Sequence, residues 1–440
     1  MTARGLIIGA PRSGSGKTTL TLALLAAARR RGYRIRAAKS GPDYIDPAFH
    51  AVATGRPSFN LDSWAMAPDQ LGTVGGYAAG DGEILLIESS MGLFDGVAGA
   101  AGRTGAGADL AAGLGLPVVL ILDVSGHSQT AAAVARGFVG HVPGVNIGGV
   151  VLNRVASERH LQGVSTAMAG VGIKILGSIP RDEAIKLPER HLGLVQALEH
   201  PDLRKHLEVL ADLAERCLDL PGIFALAPPL TPQLDGGALL PPPGQRIAMA
   251  RDDAFSFIYA HVLEGWRRAG SEITFFSPLA DEMPPEDCDS CWLPGGYPEL
   301  HAARLGAALK FKAGLGVFAR TGHVHGECGG YMVLGEALQS ADGEWHSMAG
   351  LLSHATSFAK RRMNLGYRHA MMLGKSPLGP AGAVIRGHEF HYASLTAPGT
   401  DAPLAELRDA AGRVLGPSGG RRGHVSGAFF HAIATGGGSA

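Results

Sequence analysis

The stretch from Gly5 to Arg31 constrains this chain more than any other. An apolar run, Gly5 to Ala10, leads into Pro11-Arg-Ser-Gly-Ser-Gly-Lys-Thr-Thr19, and an Ala/Leu-rich run continues to about Arg31. Strand, glycine-rich loop, Gly-Lys-Thr and helix, in that order, make a phosphate-binding loop. The loop amides and the helix N-terminus cradle phosphate oxygens. Lys17 is placed to reach the terminal phosphates, and the Thr18 hydroxyl to bind magnesium. Arg12, Gly14, Gly16 and Thr19 complete the expected ATP-binding set. The first glycine of the usual pattern falls on Pro11, which leaves Gly9 and Gly14 to supply the turns.

The same grammar recurs downstream. Arg34 to Lys39 reads as a strand, followed by Ser40-Gly-Pro-Asp-Tyr-Ile-Asp46, and Ile84 to Ile87 as another, ending at Glu88. Asp43, Asp46 and Glu88 therefore follow strand ends, where ligands bind in open α/β sheets. Magnesium takes few protein ligands beside phosphate and water, and Thr18, Asp46 and Glu88 are its candidates. Pro117 to Val124 is almost continuously apolar, as a central parallel strand requires. Ser128 to Phe138 reads as a crossover helix, Val145 to Leu152 and Ile173 to Ile179 as strands, and Leu203 to Leu220 as a closing helix. This alternation predicts a doubly wound parallel sheet. The Pro/Gly/Leu-rich run 221–245 is the expected linker, dividing 1–220 from 246–436.

The second half starts a new α/β series and carries its own chemistry. Gly326-Glu-Cys-Gly-Gly330 follows a short extended run, Thr321 onward, and precedes a helix-like run, Gly330 to Leu338. That is the layout of a nucleophile elbow with a thiol, Cys328, in place of serine. The helix N-terminus is expected to favour the thiolate. An oxyanion formed by thiolate attack needs backbone N–H donors. The Gly296 and Tyr297 amides, in Pro294-Gly-Gly-Tyr-Pro-Glu299, are the candidates. A thiol also needs a base. His431 and the cluster Gly387-His-Glu-Phe-His-Tyr392 compete for that role, and spacing does not choose between them.

Composition narrows the classes. A chain of 440 residues suits two or three domains. Formal net charge is zero, which gives no global field for nucleic acid. No apolar run is long and clean enough to cross a membrane, and no signal-like segment opens the chain, so the cytoplasm is expected. Four cysteines do not make a disulfide framework. Cys288 and Cys291 form half of a metal signature and read as structural.

Taken together, these segments resemble the cobyrinic or hydrogenobyrinic acid a,c-diamide synthase family of glutamine-dependent amidotransferases. The resemblance rests on Ala10 to Thr19, Lys39 to Asp46, Glu88 with Met91-Gly-Leu-Phe-Asp-Gly96, Leu293 to Glu299, Gly326 to Tyr331, Leu365-Gly-Tyr-Arg368 and Gly387 to Tyr392. It implies an N-terminal P-loop ATPase domain similar to dethiobiotin synthetase and a C-terminal class I-type glutaminase domain. It implies Cys328 as nucleophile and His431 as its histidine, while the acid often found two positions later is Ile433 here. By the same resemblance Asn153 and Arg154 bind the nucleobase, and Asp43, Tyr44 and Asp95 belong to the substrate region. Glutamine, ATP with Mg2+ and a corrinoid are the implied partners, with ammonia passing along a shielded route and a homodimer left open. Cobyrinic and hydrogenobyrinic acid both fit, with a lean to the metal-free ring. Rival readings are the same chemistry on nickel sirohydrochlorin, cobyric acid synthase, and a P-loop switch ATPase with an inactive glutaminase-like domain.

Overall fold

A computed structural model describes residues 3–182, 185, 189–190, 193–194, 202–231 and 239–436. The chain divides into two compact units, Met1–Gly236 and Gly237–Ala440.

The first unit is built on a seven-stranded sheet. Its strands are β1 (Arg4–Gly9), β2 (Ile35–Ser40), β3 (Phe59–Leu61), β4 (Ile84–Glu88), β5 (Val118–Asp123), β6 (Ile147–Val155) and β7 (Ile175–Pro180). The order is β3-β2-β4-β1-β5-β6-β7, and every pair is parallel. Helices cover a sheet of this kind on both faces, so its central strands must be apolar on both sides. Ile84 to Ile87 and Val118 to Ile121 are accordingly excluded from solvent. The helix Lys17–Arg30 leaves β1 through the glycine-rich loop. It is clamped to the helix Leu203–Cys217 by ion pairs of Arg30 with Asp212 and Arg31 with Glu215. Leu203, Leu207, Leu210 and Ala214 of the latter helix share its buried face, a spacing of three and four that suits one apolar stripe. A short hairpin pairs β8 (Glu189–Arg190) with β9 (Gly193–Leu194).

The expected linker begins as structure. Leu220–Ala225 is a helix with Ile223 and Phe224 buried. The Gly5 amide donates to Pro228 O at 3.0 Å and the Leu230 amide to Ala3 O at 2.7 Å. Burial of these apolar side chains holds the run against the first unit despite its Pro/Gly composition. Residues 232–238 of that run lie outside the described residues, as do residues 437–440 of the terminal tail.

In the second unit, β10 (Arg246–Ala250), β11 (Glu272–Phe276), β12 (Ser290–Leu293) and β13 (His323–Glu327) open a mainly parallel sheet. A small sheet follows, from β14 (Ala337–Gln339), β15 (Trp345–Ser347), β16 (Ala355–Ser357) and a later strand, β19 (Ser394–Ala397). The long hairpin β17 (Asn364–Met372) and β18 (Val384–His391) forms an antiparallel sheet with β20 (Ala405–Asp409) and β21 (Val414–Ser418). The chain then re-enters the first of these sheets as β22 (Gly420–Arg422) and β23 (Val425–Ala428). It crosses Phe429 and Phe430 and ends in the antiparallel sheet as β24 (His431–Thr435), beside β18. The sheet orders are β11-β10-β12-β13-β23-β22 and β21-β20-β17-β18-β24.

Some element boundaries differ from the sequence pattern. The closing helix stops at Cys217 rather than Leu220. In the second unit a helix spans Ala260–Arg268, and Phe257 before it is bridged to Gly295. The helix after Cys328 spans only Gly329–Leu334, since Ala337 to Gln339 are drawn into the small sheet. The strand before His431 stops at Ala428, where the chain changes sheets. No described helix is long and apolar enough to cross a membrane.

Gly330 is where the short helix presses on β12. A Cβ there would stand 1.9 Å from Leu293 O, and backbone cannot yield that distance locally. Gly330→Ala is expected to lose about 1–3 kcal/mol, the usual cost of overpacking. Chemical denaturation of the full chain measures this, and an unchanged midpoint would contradict the packing.

Candidate active sites

In the first unit, all parallel strands finish at one edge, and the phosphate-binding loop opens there. Gly14 and Gly16 adopt left-handed backbone, φ 74° and 100°. Gly9 ends β1 without such a φ, and its bare Cα leaves room for Val118, so the second turn belongs to Gly16. Asn153, on β6, closes the loop by donating from Nδ2 to Ser15 O at 2.8 Å. Lys17 Nζ, nearly buried, donates to Met91 O at 2.5 Å and Arg12 O at 3.3 Å. Burial and then the neighbouring Lys39 lower its pKa to about 8.

The carboxylates predicted from strand ends do converge. Thr18 Oγ1 donates to Glu88 Oε1 at 2.7 Å. Asp46 Oδ2 and Glu88 Oε1 lie 2.5 Å and 2.9 Å from Lys39 Nζ. Glu88 Oε2 is 2.8 Å from His50 Nε2. Lys39, His50 and Glu88 are almost wholly excluded from solvent. Burial opposes the charge on Lys39, but Asp46, Glu88 and Asp43 outweigh it and raise its pKa. Burial alone would raise Glu88, yet Lys39 and His50 hold it well below the usual carboxylate range. Asp46 is pushed up by burial and by Asp43. Thr18, Asp46 and Glu88 supply hard oxygen donors, the type magnesium takes, with Lys39 Nζ between the two carboxylates.

The other predicted residues divide. Asp43 Oδ1 accepts from the Ile45 and Asp46 amides, and Asp95 Oδ2 from the Gly92 amide, so both brace turns. Tyr44, next to Asp43 in sequence, is buried. Gly16, Thr19, Asn153 and Arg154 line one cavity of about 410 Å3, together with Ser125, Pro180 and Arg181. Arg12 and Arg154 both donate to Asp123 Oδ2, at 3.1 Å and 2.5 Å. Lys39, His50 and Asp123 escaped the sequence reading. A lysine one residue from the end of a buried parallel strand was the available signal, whereas nothing local distinguished His50.

In the second unit, Cys328 sits at φ 47°, ψ −104°, a strained conformation for a residue with a side chain. Its amide donates to Ala428 O at 2.8 Å, which ties the turn to β23. The Pro-Gly-Gly-Tyr loop joins thiol and imidazole. A Cβ on Gly329 would lie 3.0 Å from the Gly296 amide nitrogen. One on Gly295 would lie 2.3 Å from His431 Cε1 and 3.1 Å from its Nε2. The Gly295-Gly296 backbone therefore passes close both to the turn after Cys328 and to His431. His431 is fully buried, pairs with His388 across β18 and β24, and has Phe257 and Tyr259 as ring neighbours. His391 is committed elsewhere, stacked on Phe429 with Nδ1 hydrogen-bonded to Ala393 O. Ile433 is core, and Glu327 Oε2 stands 3.8 Å from His431 Nδ1.

The electrostatics of this site invert one expectation. The Gly329 amide favours a thiolate, but burial and then Glu299 outweigh it and push the Cys328 thiol up. Burial, His388 and His391 lower His431 to about 3, and burial raises Glu327 to about 8. In the free enzyme the thiol and imidazole are thus neutral at pH 7. Cys217, Cys288, Cys291 and Cys328 are all free thiols, the middle two buried in the core.

Comparison with known proteins adds two kinds of match. Residues 6–195 match the CobQ/CobB/MinD/ParA nucleotide binding domain, and residues 246–438 match the CobB/CobQ-like glutamine amidotransferase domain. A hydrogenobyrinate a,c-diamide synthase of Mesorhizobium japonicum is 61% identical over 435 residues, 99% of each chain. One of Agrobacterium fabrum is 59% identical over 99% of this chain and 100% of its own. One of Rhodobacter capsulatus is 54% identical over 98% of this chain and 99% of its own.

A raised thiol pKa has a direct consequence. Alkylation of Cys328 in the free enzyme should be slow at pH 7 and accelerate only above the ordinary thiol range of about 8.5. Mass spectrometry of iodoacetamide-treated protein across pH measures this. Rapid labelling of Cys328 at pH 7 would show that the thiolate is already formed.

Proposed function

Because this chain belongs to the hydrogenobyrinate a,c-diamide synthase family, we propose that its two sites carry the two halves of one amidation. The chain is a glutamine-dependent carbon–nitrogen ligase of cobalamin biosynthesis. It converts the a and c carboxylates of hydrogenobyrinic or cobyrinic acid to amides with ATP and glutamine. The observation that carries this reading is identity of 54–61% along essentially the whole chain, across both units. The same full-length likeness favours a corrinoid over nickel sirohydrochlorin. It also favours ligation over a nucleotide switch, since the thiol site keeps its parts. The cytoplasm is the compartment we assign.

In the second unit, Cys328 Sγ attacks the side-chain amide carbon of glutamine. Its proton passes to His431, and the Gly296 and Tyr297 amides stabilise the oxyanion. The carbon–nitrogen bond then breaks, His431 returns the proton to the leaving ammonia, and water hydrolyses the thioester to glutamate. Because the resting thiol is neutral, His431 must act as a base at the moment of attack rather than as a standing imidazolium.

In the first unit, a corrinoid carboxylate oxygen attacks the terminal phosphorus of ATP and ADP leaves. Ammonia attacks the resulting acyl phosphate, and phosphate departs as the amide forms. Lys17, now held by Met91 O and Arg12 O, exchanges those carbonyls for phosphate oxygens. Asn153 and Arg154 hold the nucleobase, and Asp43, Tyr44 and Asp95 face the corrinoid. Thr18, Asp46 and Glu88 would hold magnesium, which when bound neutralises phosphate charge. Lys39 keeps Asp46 and Glu88 together by serving as their counter-charge.

The two-site scheme is tested by Cys328→Ser. Glutamine-driven amidation should fall at least about 100-fold, while amidation with added ammonium stays near wild type. Product mass read on hydrogenobyrinic and cobyrinic acid reports both. Loss of the ammonium-driven reaction as well would sink the division of labour.

A further inference from the structure

The acid that position 433 does not supply comes from the other side of the sheet: we propose that Glu327, the residue before the nucleophile, is the positioning acid of His431. This rests on the glutaminase reading of the Cys328 site.

Three observations place it there. Strand register sets Glu327 opposite Ala428, so it lies beside the chain just before that chain crosses to β24. Its Oε1 accepts the Ala432 amide at 2.8 Å, which fixes the backbone immediately after His431. Its Oε2 is then left 3.8 Å from His431 Nδ1. The carboxyl is 5% exposed, beside Trp292, Phe257 and Tyr259. A buried carboxyl is costly without polar partners, and the Ala432 amide and the Trp292 side chain both hydrogen-bond Glu327, which fixes the carboxyl beside the imidazole.

The chemistry follows from the tautomer. Burial raises Glu327 to about 8, and once ionised it accepts Nδ1–H, which leaves the Nε2 lone pair to take the Cys328 proton. The imidazolium formed at that moment then lies against the carboxylate. The groups facing His431 are Glu327 from β13, His388 and His391 from β18, and Tyr259 from the segment before the helix Ala260–Arg268. Of these, Glu327 supplies the negative charge the imidazolium needs.

Glu327→Gln separates this role from mere bracing. Its amide oxygen can still accept from Ala432, but its NH2 then faces Nδ1 and drives the histidine proton to Nε2. Glutamine-driven turnover should fall about 100-fold or more, with KM for glutamine and ammonium-driven turnover near wild type. The deficit should widen as pH rises through about 8, where Glu327 ionises in the wild type and Gln has no proton to lose. Unchanged glutamine-driven kcat, or a loss constant across pH, overturns the proposal. If Glu327→Gln does not fold, Glu327→Asp against Glu327→Ala decides. Greater glutamine-driven activity in the Asp variant supports the acid role, and equal or lower activity overturns it. Cys328→Ser keeps the failures apart: if it retains glutamine-driven turnover, the underlying reading fails, whatever the Glu327 variants do.

Discussion

Parallel alignment of strands is the constraint on which both units depend. In a parallel sheet every strand ends at the same edge, so every strand-to-helix turn presents its backbone there. In the first unit this edge gathers the glycine-rich loop after β1, Lys39 near the end of β2, Glu88 at the end of β4 and Asp123 at the end of β5. In the second it gathers the Pro-Gly-Gly-Tyr loop after β12, the Cys328 turn after β13 and the departure of β23 toward His431. His431 itself reaches the second site from the antiparallel strand β24, beside β18.

The two sites handle buried charge in opposite ways. The first concentrates it. Lys39 is held between Asp46 and Glu88, and His50 backs Glu88, all within hydrogen-bonding distance. Removing one partner from such a set leaves uncompensated charge in low dielectric, which is far more costly than the set is stabilising. The arrangement suits a place where polyphosphate must be received. The second site removes charge. Burial keeps the Cys328 thiol and His431 imidazole neutral at rest. In the proposed reaction, charge separation accompanies the attack and falls to the proposed oxyanion donors.

Much of this was legible in the sequence because it is local. The strand–loop–helix order around Lys17 and Thr18, the Gly-x-Cys-x-Gly turn at Cys328 and the strand-end carboxylates Asp46 and Glu88 each depend on neighbours a few residues away. Short-range sterics and periodicity therefore reveal them. Burial was less legible: the helix N-terminus at Cys328 pointed to a thiolate, and the desolvation that reverses it depends on distant packing. The run after Pro221 misled for a related reason. Its Pro and Gly content describes its backbone, whereas Ile223, Phe224 and Leu230 decide where it is buried.

The sequence by itself thus determined the α/β class, the phosphate-binding loop, the thiol elbow and the resemblance that led to the family. Only the tertiary structure decided which groups share a volume. His431 meets the Gly295 backbone after the chain changes sheets at Phe429 and Phe430, while His391 is drawn onto the Phe429 ring. Lys39 meets Glu88 because β2 and β4 are neighbours in the sheet though far apart in the chain. Glu327 stands beside His431 because register sets it opposite Ala428. Strand order and register arise from the packing of the whole unit, so no spacing within one segment encodes them.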